Sequence, residues 1–140
     1  MGVVSIRFAD DRHHARLRAA AERAGTSLSP LAEELIEEGL RMRAHPQIVF
    51  RSGPAGRRPA LMQGPEVADV IGAIVRGDVP AAQRRARAAE LLGLPLGAID
   101  VAMDYYAEFT DEIDAELAAR QDRADELEAR WLRSQQLLDS

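Results

Sequence analysis

Side chains able to carry chemistry are few in this sequence, and their spacing argues against catalysis. The three histidines are an adjacent pair, His13-His14, and His45 before Pro46. Neighbouring positions on a helix point about 100° apart, so the pair is badly placed to hold one metal ion and reads as solvated or half-buried side chains. There is no cysteine, hence no thiol nucleophile, thiolate metal site or disulfide, which fits a reducing compartment. Gly53-Pro-Ala-Gly-Arg-Arg58 lacks both the lysine and the strand-to-helix context of a phosphate-binding loop, and it is not a dinucleotide fingerprint. The carboxylates from Asp111 to Glu128 fall on the polar side of a helical pattern and read as solvating charge. No enzyme activity, cofactor, metal site or small-molecule substrate is expected.

What remains is polar recognition by arginine, serine and threonine. In Val3-Val-Ser-Ile-Arg-Phe8, Val4, Ile6 and Phe8 alternate with Val3, Ser5 and Arg7, the period of a strand with one buried face. The other face offers an apolar contact, a hydroxyl and a guanidinium, and arginine pairs bidentately with guanine. Asp10 or Asp11 caps a helix carrying Leu17, Ala20, Ala21 and Ala24, with Gly25 as its left-handed stop. Thr26-Ser-Leu-Ser-Pro30 opens a second helix, with Ser27 or Ser29 as cap and an apolar stripe of Leu31, Ala32, Leu35, Ile36 and Leu40. A blander reading makes Ser5 and Arg7 a solvated strand face and the turn merely a cap.

A lone strand cannot satisfy its own backbone groups, and two short helices cannot bury that much apolar surface unaided. A second copy supplies both, through an antiparallel strand pair beneath four helices. The order strand, helix, Gly25-Thr-Ser-Leu-Ser29, helix resembles the ribbon-helix-helix family of the Arc and Met repressors, over about a third of the chain. That resemblance implies an intertwined homodimer whose two-stranded ribbon enters the DNA major groove. Val3, Ser5 and Arg7 would then face the bases, with Thr26, Ser27 and Ser29 at phosphate beside the second helix's N-terminal amides.

After His45-Pro46, a helix stop, Gln47–Arg51 and Arg57–Leu61 flank a turn-rich Ser52–Gly56 and read as a hairpin. Helices follow from Pro65 to Gly77, from Asp78 and Pro80 to Gly93, and after Pro95. Ala89, Gly93 and Ile99 have helix-turn-helix spacing, but the helix in the recognition position, Leu96 to Tyr106, carries Asp100 and Asp104 and no basic residue. Packing is therefore its expected role rather than base reading. Arg57, Arg58, Arg84, Arg85 and Arg87 are candidates for DNA backbone contact or for plain solvation.

The stretch from His45 to about Phe109, with its His-Pro-Gln-Ile-Val-Phe, Gly53-Pro-Ala-Gly-Arg-Arg-Pro-Ala and Ile99–Tyr106 segments, is similar to a helix-turn-helix-like domain of Vap-type antitoxins. This implies one half of a toxin-antitoxin pair, opposite a toxin of PIN-like ribonuclease fold. Joined to a ribbon-helix-helix it implies an autoregulatory antitoxin, with a stand-alone regulator as the alternative.

Thr110 to Leu138 has no proline or glycine and lines up Ile113, Leu117, Ala124, Leu127, Trp131 and Leu138, the pattern of one long amphipathic helix. Such a helix exceeds what a small core can cover, so its stripe calls for a partner. A coiled coil within the homodimer and a groove on another protein both fit, although Arg120 and Ser134 interrupt the heptad. The antitoxin resemblance implies toxin contact through Tyr105, Tyr106, Phe109, Leu117, Leu127, Trp131 and Leu138, with Arg120, Arg123, Arg130 and Arg133 as candidates to approach a toxin's carboxylates.

The expected organisation is mainly α: a DNA-binding and dimerisation domain over 1–45, a hairpin and helical domain over 46–109, and the amphipathic helix over 110–140. Charge divides along the same lines. The first 45 residues balance seven arginines against seven acids, 46–95 carry seven against four, and 96–140 carry four against twelve. All 18 basic residues are arginine. No apolar run approaches the roughly 18 residues a membrane span needs, and the first residues lack a signal's basic-then-apolar order. A cytoplasmic protein, with no membrane partner, is expected.

Overall fold

The computed structural model describes residues 1–139. The fold is mainly helical with one small hairpin, and it divides into two compact units, Met1–Ala44 and the chain from His45 onward.

The first unit contains α1 (Asp11–Ala24) and α2 (Leu28–Ala44). Asp10 caps α1 by accepting from the Arg12 amide at 2.9 Å. Gly25 ends it at φ 65°, where a side chain would be strained, and the Thr26 amide donates back to the Ala21 carbonyl. Ser27 stands directly before α2, and Ser29 and Pro30 lie in its first turn. The expected strand over Val3–Phe8 is not formed: residues 1–8 take no regular secondary structure. A strand exists only with a ladder partner, and a single chain offers this segment none.

The second unit begins with the hairpin β1 (Ile48–Gly53) and β2 (Gly56–Leu61), antiparallel in a register from Ile48 opposite Leu61 to Gly53 opposite Gly56. Pro54 and Ala55 form its two-residue turn. Three helices follow: α3 (Val67–Val75), α4 (Ala81–Leu92) and α5 (Leu96–Glu108). Gly93, at φ 64°, makes the tight turn out of α4. Helix α3 is the hub, touching α4, α5, α6 (Thr110–Gln136) and β2. The core is Ile48, Leu61, Val67, Val70, Ile71, Ala88, Ile99, Ala102, Tyr105 and Ile113, so the start of α6 completes this domain. The domain edge expected at residue 109 is therefore misplaced: Ile113 is fully buried and Leu117 packs against the same cluster.

Candidate nucleic-acid and partner surfaces

The first unit keeps few of its apolar side chains to itself. Among residues 1–44, Ala21, between α1 and α2, is the only buried hydrophobic one. Val4 is 83% exposed and Leu40 60%, while Ile6, Leu35 and Ile36 are also open to solvent. Exposed apolar surface of this extent on a small unit is a candidate interaction face. Val3, Ser5 and Arg7 are exposed, as are Thr26, Ser27 and Ser29. Arg7 has no hydrogen-bond or ion-pair partner among the described residues. Arg12, by contrast, is held by Asp10, whose carboxyl that contact lowers, and Arg41 by Glu37 at 2.9 Å. Arg7 shares its lack of a partner among the described residues with Arg16, Arg18, Arg23 and Arg43.

In the second unit the arginines expected at a DNA backbone are mostly occupied. Arg85 makes a fork to Asp100, with its Nη2 2.6 Å from Oδ2, which lowers that carboxyl. Arg58 reaches Glu116 at 3.2 Å, Arg57 donates to Ser52 at 3.0 Å, Arg84 reaches the Val79 carbonyl at 3.4 Å, and Arg87 lies 3.6 Å from Glu90. They do not form one open basic patch. Helix α5 turns Ile99, Ala102 and Tyr105 inward and Asp100 and Asp104 outward, an arrangement built for packing and unfavourable to phosphate.

Five residues expected at a toxin surface, Tyr105, Tyr106, Phe109, Leu117 and Arg120, pack or bond within the fold. Tyr105 is fully buried, its ring 4.7 Å from that of Phe109 and 5.1 Å from that of His45. Its alignment with Ile99 and Ala102 on the core side of α5 is the physical reason, and Tyr105 is withdrawn from the contact set. His45 is buried too, its Nε2 2.6 Å from Glu108. Tyr106 donates to Asp114 at 2.9 Å, which raises the phenol's pKa by favouring its protonated form. Arg120 points inward: its Nη1 meets Asp69 at 2.6 Å and its Nη2 meets Glu66 at 2.8 Å. Asp69 also accepts from the Glu66 amide, so the pair closes the N-terminal turn of α3.

Beside this clamp lies an open cavity of about 740 Å³, lined by the hairpin tip, Arg51, Arg58, Glu66, Asp69, Glu116, Arg120 and Arg123. Arg51 spends its guanidinium on the carbonyls of Leu61, Met62 and Gly64. Glu116 is buried, and burial raises its carboxyl above the usual range while Arg58 acts against that rise. No local sequence signal announces this cluster, whose members come from β1, β2, α6 and the start of α3.

Beyond Arg120 the long helix leaves the core. Leu127 is 62% exposed and Trp131 60%, and Arg123, Arg130, Arg133 and Leu138 are exposed as well. These remain as a contiguous outward stripe with its flanking charges. Among the described residues no group of His, Asp or Glu could hold a metal ion, and no helix is long and apolar enough to cross a membrane.

No family model, curated protein or solved structure matches the chain. The two resemblances therefore rest on the residues that carry them.

Proposed function

We propose that this protein is the antitoxin of a toxin-antitoxin pair: a homodimeric DNA-binding autorepressor that neutralises a PIN-like ribonuclease toxin by direct binding, in the cytoplasm. The observation that carries the reading is the uncovered apolar face of the first unit, where Val4, Ile6, Leu35, Ile36 and Leu40 lie exposed behind a segment with strand periodicity and no ladder partner. A second copy answers both needs at once, pairing the strands and covering the helices. Arg7 and Ser5 then share the outward face of the ribbon with Val3 and read bases, while Thr26, Ser27 and Ser29 meet phosphate at the start of α2. The outward half of α6, anchored by Trp131 and flanked by Arg123 and Arg130, is the surface offered to the toxin.

The test is co-expression with the product of the adjacent gene, purification through a tag on this chain, and mass determination of what elutes. A stable complex with a small PIN-like protein is expected. Elution of this chain alone as a homo-oligomer would replace the antitoxin by a stand-alone regulator.

A further inference from the structure

The exposed half of α6 carries a charge pattern that specifies an occupant for its apolar stripe. Ala124, Leu127, Trp131, Ser134 and Leu138 follow alternating three- and four-residue steps, the a and d positions of a heptad. Arg120 would hold the preceding d position, but its guanidinium is spent on Asp69 and Glu66. The seam accordingly starts after it, where the helix has left the core. Arg123 and Arg130 occupy the g positions on one side of the seam, and Glu128 and Gln135 the e positions on the other. Among the described residues, the side chains of Arg123, Glu128 and Arg130 have no hydrogen-bond or ion-pair partner.

Segregated flanks of this kind are self-complementary in one orientation only. In a parallel pair each g residue faces the following e residue of the other helix, so Arg123 meets Glu128 of the second copy, twice by symmetry, and Arg130 meets Gln135. In an antiparallel pair g faces g and e faces e, setting arginine against arginine and leaving Glu128 opposite like charge or glutamine. We propose that the exposed tails of two α6 helices pair with each other as a short, parallel, in-register coiled coil, with Leu127 against Leu127 and Trp131 against Trp131.

Two heptads are marginal for free helices. The pairing rests on the dimer of the proposed function, whose N-terminal ribbon makes the second association intramolecular and raises its local concentration. A parallel coil and an antiparallel ribbon each have a two-fold axis, so one symmetric dimer accommodates both. The paired seam also uses the side chains offered to the toxin, so the two occupants exclude each other and toxin binding must open the coil.

The absence of cysteine makes the test clean. In the full chain, single variants Leu127→Cys and Asp125→Cys place a thiol on the seam and on the opposite face, and both positions are exposed enough to tolerate it. Disulfide formation needs Cα atoms within about 7 Å, so Leu127→Cys should cross-link about tenfold faster or more than Asp125→Cys. Adding Arg123→Glu to Leu127→Cys should slow it several-fold, and adding Arg123→Glu with Glu128→Arg should restore it. Equal rates at the two sites, or no recovery in the swapped pair, would overturn the proposal. Operator binding, measured on the same preparations, separates the two readings. Cross-linking without DNA binding keeps the coil and drops the repressor, and DNA binding without preferential cross-linking does the reverse.

Discussion

Arg120 and Asp69 lie 51 residues apart in sequence, yet the Nη1 of the first is 2.6 Å from the Oδ1 of the second. With Glu66 as its other acceptor, the guanidinium ties the last core-facing turn of α6 to the first turn of α3. The site is about one-third exposed on both sides, so its charges are partly desolvated and its geometry is two-pronged, which places it above an ordinary surface pair. Arg120→Ala should lower stability by about 1–2 kcal/mol, read from urea unfolding, and leave operator binding unchanged. A loss of toxin binding with no loss of stability would return Arg120 to the contact surface.

Glu116 gives the second unit a pH dependence. Because burial raises its carboxyl in the folded chain, the folded state holds this proton more tightly than the unfolded state. The resulting stabilisation is fully present below the usual glutamate pKa and is lost as pH rises through the raised value. Glu116→Gln keeps an oxygen for Arg58 and removes the titration. It should flatten the part of the stability profile that lies above the usual glutamate range, and be neutral or stabilising at the upper end. An identical slope in the variant and the parent would show that Glu116 does not titrate in that range.

Truncation separates the core-packed half of α6 from its exposed half. A chain ending after Gln121 retains Ile113, Glu116, Leu117 and Arg120, and its second unit should melt within a few degrees of the parent. A chain ending after Phe109 loses the fully buried Ile113. Replacing that residue alone by alanine should cost about 2–5 kcal/mol, so the shorter chain should show early unfolding of the second unit. Toxin binding is expected to fall in both, and only the longer chain attributes that loss to the exposed stripe. Equal melting of the two would place the end of the core before residue 110.

Local signals in the sequence translated well where one residue dictates one geometry. Gly25 and Gly93 both end helices with positive φ, and the expected hairpin forms, although its strands run on through Gly53 and from Gly56, so that the turn narrows from Ser52–Gly56 to Pro54 and Ala55. Long-range partners were not legible. Nothing near Arg120 in sequence announces Glu66 or Asp69, so it read as a free arginine interrupting a heptad. Tyr105 carried a readable signal, the spacing Ile99, Ala102, Tyr105 along one face of α5, that its aromatic character obscured. The segment Val3–Phe8 shows the opposite limit: its periodicity is plain, but a strand needs a ladder partner and nothing in the single chain pairs with this segment.

Arg7→Ala addresses base reading in isolation. A bidentate arginine contributes about 1–3 kcal/mol of discrimination against the wrong base, or roughly ten- to a hundredfold in operator preference. The variant should lose that preference while its far-UV circular dichroism and its dimer mass stay those of the parent. Unchanged preference would remove Arg7 from the reading set.

The most direct test is fluorescence anisotropy of the full chain against a duplex from its own promoter and a scrambled duplex of the same length, at two salt concentrations. Repression through the ribbon requires tighter binding to the promoter by about 10³-fold or more, retained as salt rises while both affinities weaken. Equal affinity for the two duplexes at both salt concentrations would contradict it.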